Sequence, residues 1–306
     1  MTAPSGESRV NARGESRVIA LRDRIDANTA ICADGQRPVA PVHYLAYVPD
    51  APLARPPLVL VHGNDRAAGR LFRAFMPLAT RLGVALLAPR FSRRSYPRYQ
   101  TLAGTADELA AANALIGVLA HAQTRLRWPG GQVDLLGFSG GAQFAHRFAL
   151  CAPERVRRLV CVSAGWYTRI QSERAFPQGI AAPGFDSQIR IETEAFLRLP
   201  MLLLVGDCDT RSDASLRTSA WLTRTQGAHR LERACRWTEH LHARAAALGI
   251  SADIRLQRLP DTGHSLVEAV VAGGLVERVI DFLEDGHAAP APAGGHGMGR
   301  DRCQTE

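Results

Sequence analysis

Val133-Asp134-Leu135-Leu136-Gly137-Phe138-Ser139-Gly140-Gly141-Ala142 is the stretch on which the reading of this chain turns. An apolar, strand-like segment runs into Gly-x-Ser-x-Gly. A segment able to form a helix follows, with Phe144, Phe148 and Cys151 on one face. A strand-to-helix turn this tight leaves no room for bulky neighbours, and glycines at 137, 140 and 141 remove the clash. Ser139 is then presented on a strained tip, clear of the sheet. The helix that starts after it points its free N–H groups and positive dipole end at the same spot, where a negative oxygen would be stabilised.

Outward from this turn, strand-like and helix-like segments alternate from 58 to 285. Leu58–Val61, 84–88, 159–162 and 201–205 are short, fully apolar runs of the kind that form central parallel strands. Val42–Val48 suits an early strand, and Ile254, Leu256 and Leu259 alternate as a late one. Helices are predicted over 70–82, from Thr105 (capping-box spacing to Glu108), after Ser139, over roughly 228–248 and after Ser265. The last should run through Val270, Val271, Val276, Val279, Ile280 and Leu283, with a kink at Gly273-Gly274. The pattern predicts an α/β fold, a mostly parallel sheet with helices on both faces. Residues 168–199 form a small excursion, with a short helix around 190–198. The domain spans 36–285. Residues 1–35, with the imperfect echo Gly6-Glu7-Ser8-Arg9-Val10 and Gly14-Glu15-Ser16-Arg17-Val18, are predicted to be a mobile arm. The Gly-, Ala-, Pro- and His-rich stretch 286–306 is predicted to be a disordered tail.

The chain has 306 residues, 46% of them hydrophobic, which suits one large α/β domain. No stretch is apolar enough to span a bilayer, and the first 35 residues lack the apolar centre of a secretory signal. A cytoplasmic location without membrane association is the expectation. Cysteines 32, 151, 161, 208, 235 and 303 have no metal-ligand spacing, so neither a metal nor a disulfide framework is expected. The net charge of +8 comes from arginine alone, since the sequence has no lysine. The arginines are spread along the chain without an aromatic-interleaved basic tract. Base composition of the coding DNA explains the charge more simply than nucleic-acid binding does.

A serine hydroxyl needs a base within hydrogen-bond reach, and the base needs an orienting acid. His264, in Pro260-Asp261-Thr262-Gly263-His264-Ser265 after the last strand, is the candidate base. Gly206-Asp207-Cys208-Asp209-Thr210 offers two carboxylates after the strand 201–205. Asp209, further into the loop, is assigned to the histidine, and Asp207 to the turn itself. Two N–H donors are needed for a tetrahedral oxyanion. Those of Gly140 and of Asn64, in His62-Gly63-Asn64 after the first central strand, are the candidates; His62 is assigned a structural role.

His-Gly after the first apolar strand, Gly-Phe-Ser-Gly-Gly, Gly-Asp-Cys-Asp-Thr and Gly-His-Ser together resemble an α/β-hydrolase over residues 40–285. The small excursion is similar to the dienelactone hydrolase, polyhydroxybutyrate depolymerase and feruloyl esterase types rather than to lipases with large lids. Ser139 stands where dienelactone hydrolase has cysteine. The resemblance implies a Ser139-His264-Asp209 triad, no cofactor, and hydrolysis of an ester or related acyl bond. Phe91, Tyr96, Tyr99, Trp166 and Tyr167, on loops at strand ends, are candidates for walling a small acyl or aromatic pocket. Arg90, Arg93, Arg94 and Arg98 are weaker candidates for a carboxylate-bearing substrate. The expected partner is a small-molecule ester; the oligomeric state is left open. Thioester hydrolysis or acyl transfer would use the same triad, and a non-catalytic binding protein on this fold would not need all three residues.

Overall fold

A computed structural model describes residues 17–19, 42–49, 55–102, 106–125, 128, 130–182 and 190–285. Among the described residues, eight strands form one sheet: β1 (Arg17–Ile19), β2 (His43–Val48), β3 (Leu58–Val61), β4 (Leu86–Arg90), β5 (Val133–Phe138), β6 (Val156–Val162), β7 (Met201–Gly206) and β8 (Ile254–Leu259). Their order is β1-β2-β4-β3-β5-β6-β7-β8. β2 pairs antiparallel with β1 and β4, and β4 through β8 are parallel.

The apolar runs form strands because both faces of the sheet are covered. Within each run alternate residues go to opposite cores: Val59, Val61, Leu135, Leu203 and Val205 to one, Leu58, Leu60, Leu136, Leu202 and Leu204 to the other. The first core is closed by α2 (Ala106–Arg125), α3 (Gly140–Cys151) and α6 (Arg230–Ala247), through Leu115, Phe144, Phe148 and Trp237. The second is closed by α1 (Ala68–Leu82) and α8 (Leu275–Glu284), through Phe75, Leu78, Val279 and Leu283. The chain leaves β3 toward one face and β5 toward the other, although these strands are neighbours. Their diverging loops open a crevice at the carboxyl ends of the strands, at the switch in strand order.

Three parts of the fold differ from expectation. Arg17–Ile19, inside the stretch predicted to be a mobile arm, pairs with β2 as an edge strand. The helix predicted after Ser265 is two helices, α7 (Leu266–Val271) and α8, because Gly274 takes the left-handed conformation (φ 61°) and breaks the path rather than kinking it. A short helix, α5 (Ala220–Gln226), capped by the Ser219 hydroxyl, precedes α6 where no helix was predicted. The short helix of the excursion is α4 (Thr193–Leu197). The Thr105 cap and the tail 286–306 lie outside the described residues.

Candidate active site

Ser139 joins β5 directly to α3 with φ 54° and ψ −112°, a conformation that costs a non-glycine residue about 1–3 kcal/mol. The packing on either side imposes it. A Cβ on Gly137 would lie 2.1 Å from the Gly141 carbonyl oxygen, and a Cβ on Gly141 would lie 2.0 Å from that of Val61. Only backbone fits at both places, so strand, turn and helix close tightly and the serine side chain is turned outward. The Ser139 carbonyl accepts the Ala142 and Gln143 N–H groups at 3.1 and 3.2 Å, starting α3 at the serine itself.

His264 comes from the loop after β8. Its Nε2 lies 2.9 Å from Ser139 Oγ and its Nδ1 2.9 Å from Asp209 Oδ2. In the tautomer with hydrogen on Nδ1, the ring donates to the carboxylate and accepts the serine hydroxyl. Phe138 stacks on the imidazole at 5.7 Å between centroids, limiting its rotation. The loop is pinned by Glu268, whose Oε2 accepts the Gly263 N–H at 2.8 Å, while Ser265 caps α7. Asp209 is buried in the loop after β7; its N–H donates to the Gly206 carbonyl, and its own carbonyl accepts the Leu231 N–H of α6. Asp207 points elsewhere, accepting the Thr262 N–H at 3.3 Å and tying the β7 loop to the histidine loop.

The His62-Gly63-Asn64 segment runs beside the serine. A Cβ on Gly63 would sit 3.5 Å from Ser139 Cβ, and one on Gly140 would sit 2.4 Å from Asn64 Oδ1. Among the described residues, neither the Asn64 nor the Gly140 N–H meets an acceptor. Arg93 holds the Asn64 carbonyl at 3.1 Å. His62 is locked in the interior: Nδ1 bonds the Gly63 carbonyl at 2.8 Å, and Nε2 accepts the Phe91 N–H at 3.0 Å. Burial pushes it down to about 4, so it is a neutral clamp on the loop.

Neither protein-family models nor curated protein sequences match this chain. Solved structures do. The LpqC poly(3-hydroxybutyrate) depolymerase from Bordetella parapertussis is 25% identical, with a TM-score of 0.68 over 90% of this chain and 91% of that one. Poly(aspartic acid) hydrolase-1 from Sphingomonas sp. KT-1 is 22% identical, with a TM-score of 0.67 over 87% and 97%. A ferulic acid esterase is 13% identical, with a TM-score of 0.54 over 88% and 98%. The chain is an α/β-hydrolase in fold. Among the described residues, no helix is long and apolar enough to cross a membrane.

In this hydrolase fold the serine opens into a cleft of about 560 Å³ between α1 and α7. Leu71 and Ala74 of α1, Phe138, and Leu266, Val267 and Val270 of α7 give it apolar walls. Asp65, Arg70 and Arg73 supply charge on the α1 side, with Arg70 bonded to Asp65 at 2.5 Å. The aromatic residues predicted from sequence to wall a pocket are not at this cleft. Phe91, Tyr96, Trp166 and Tyr167 are all buried and do not line this cleft. Phe91 packs against Phe144 of α3 at 5.1 Å and Tyr167 stacks on Trp237 at 4.2 Å, so these loops fold inward and their rings extend the core. Tyr99 is buried too, its hydroxyl donating to the His62 carbonyl. Arg90, Arg94 and Arg98 also lie off the cleft, and Arg93 is spent on the Asn64 loop.

Sequence reasoning missed the α1 and α7 walls. Val271, placed by the sequence on the same helix as Val276 and Val279, is 79% exposed at the rim, on α7 before the break at Gly274. It also missed Arg230, the first residue of α6, which is buried against Asp209. One signal was available: a cation at a helix N-terminus opposes the dipole and needs a reason to be there.

Proposed function

We propose that the chain is a serine hydrolase that cleaves small carboxylic esters through an acyl-enzyme. The observation that carries this reading is the unbroken series Ser139 Oγ to His264 Nε2 to Asp209, 2.9 Å at each step, on a strained strand-to-helix turn. The named activities of structural neighbours, a poly(3-hydroxybutyrate) depolymerase and a ferulic acid esterase, are consistent with ester hydrolysis. As Ser139 Oγ attacks the acyl carbon, its proton passes to His264 Nε2, and Asp209 stabilises the imidazolium. The N–H groups of Gly140 and Asn64 receive the oxyanion. His264 then returns the proton to the departing alcohol oxygen. Water attacks the acyl-enzyme by the same route, giving the acid and restoring Ser139. No metal or organic cofactor enters these steps.

The apolar walls from α1 and α7 take the acyl group. A panel of p-nitrophenyl esters and acyl-thioesters, run with the parent and Ser139→Ala, tests the assignment. The parent should prefer oxygen esters, and Ser139→Ala should lose at least ~10³-fold in kcat while its thermal melt stays in place. A preference for thioesters would move the reading to a thioesterase. A folded Ser139→Ala with parental activity would end it.

A further inference from the structure

Arg230 is not accounted for by the hydrolytic steps. It is 1% exposed, yet it places a guanidinium inside the protein beside the candidate acid. Its Nη1 donates to Asp209 Oδ1 at 3.2 Å, on the carboxylate oxygen that His264 does not use. The same nitrogen reaches Asp213 Oδ2 at 2.9 Å, and Nη2 reaches Asp213 Oδ1 at 3.2 Å and Ser215 Oγ at 2.7 Å. Ser215 lines the cleft. One guanidinium thus joins the cleft wall to the acid of the triad. A lone buried aspartate beside histidine can swing; two fixed partners on its two oxygens hold it in one plane.

We propose that Arg230 is a positioning residue that fixes Asp209 and, balanced by Asp213, sets the charge His264 experiences during catalysis. This rests on the Ser139-His264-Asp209 reading above. The other ionisable groups around the pair are differently engaged. Asp207 and Glu268 accept the Thr262 and Gly263 N–H groups of the histidine loop, which also carries Asp261. The Tyr167 phenol feels the charge of Asp209 from the core side and is pushed well above its ordinary range, chiefly by burial. Asp65, Arg70 and Arg73 stand on the α1 side of the cleft. Among the described residues, only Arg230 and His264 bond the Asp209 carboxylate. A cation there draws negative charge from Asp209 and disfavours the imidazolium; Asp213 partly cancels it.

The test is kcat and KM for the neutral ester p-nitrophenyl acetate against pH, for the parent, Arg230→Met, Arg230→Lys and Asp213→Asn. Arg230→Met should lower kcat by about tenfold or more with little change in KM, and move the acidic limb of kcat/KM to higher pH. Asp213→Asn should move that limb to lower pH. Arg230→Lys should return the limb toward the parent's position but recover kcat only in part, since an ammonium cannot bond Asp209, Asp213 and Ser215 in one plane. Unmoved limbs in folded Arg230→Met and Asp213→Asn would overturn the proposal, as would parental kcat in Arg230→Met. If Arg230→Met does not fold, the half-exposed Asp213→Asn decides alone by the same criterion. Fluorophosphonate labelling of the parent separates the two readings. A parent that does not label at Ser139 overturns the serine assignment and this proposal with it; one that labels while both limbs stay fixed overturns this proposal only.

Discussion

Asp207 and Asp209 stand two residues apart on one loop and face different tasks. Asp209 is 2% exposed and gives Oδ2 to His264. Asp207 holds the Thr262 N–H and thereby the loop that carries the histidine. Asp209→Asn should cost on the order of 10⁴ in kcat, because the imidazole loses the partner that fixes its tautomer. Asp207→Asn should lower the melting temperature, at about 1 kcal/mol, with a smaller effect on kcat. Paired kinetics and melts check this, and the reverse pattern would exchange the roles. At this scale the convergence of Ser139, His264 and Asp209 was legible, because each position follows from its distance past a strand end. The aromatic residues were not. A strand-end loop can turn its side chains to the cleft or to the core, and nothing local in Phe91 or Tyr167 says which; the neighbouring rings of Phe144 and Trp237 decide.

Among the elements, the turn from β5 to α3 is the most constrained. Gly141→Ala would place a methyl 2.0 Å from the Val61 carbonyl oxygen and 2.6 Å from that of His62, both backbone atoms that cannot step aside. It should cost on the order of 3 kcal/mol or more, or abolish folding. Gly117→Ala, in α2 with open space around the added methyl, should instead stabilise by about 0.5–1 kcal/mol. Urea unfolding of the two variants reads the contrast. The walls from α1 and α7 lead to a second expectation. With p-nitrophenyl esters from acetate to palmitate, kcat/KM should peak at short acyl chains. Each buried methylene adds about 0.8 kcal/mol of binding only while wall remains to cover it. A maximum at about twelve carbons or longer would mean that the exposed Val267 and Val271 rim continues the site. The strong strand and helix patterns were legible as elements. The edge strand β1 and helix α5 were not, because three residues and seven residues give too little periodicity to register.

The whole molecule places its site where the chain leaves β3 and β5 toward opposite faces of the sheet. This was legible from the alternation of apolar runs and helices, but which helices flank the cleft depends on tertiary packing. Burial also holds three histidines neutral in the fold. His62 and His240 are each pushed down to about 4, the latter also by nearby Arg169, and His146 is pushed well below its ordinary range. The unfolded chain binds protons at these side chains near pH 6.5, and the native chain does not. Stability should therefore fall as the pH drops from about 6.5 toward 4, with a slope of up to ~1.4 kcal/mol per pH unit for each histidine. Urea midpoints that stay constant from pH 7 to 5 would contradict this. One serine, on the strained turn after β5, is the proposed nucleophile. A fluorophosphonate probe followed by peptide mass spectrometry tests it most directly, using the parent and Ser139→Ala. A single adduct on the Ser139 peptide is expected, formed in step with loss of esterase activity and absent from the variant. An adduct elsewhere, or inactivation of the parent with Ser139 unmodified, would contradict it.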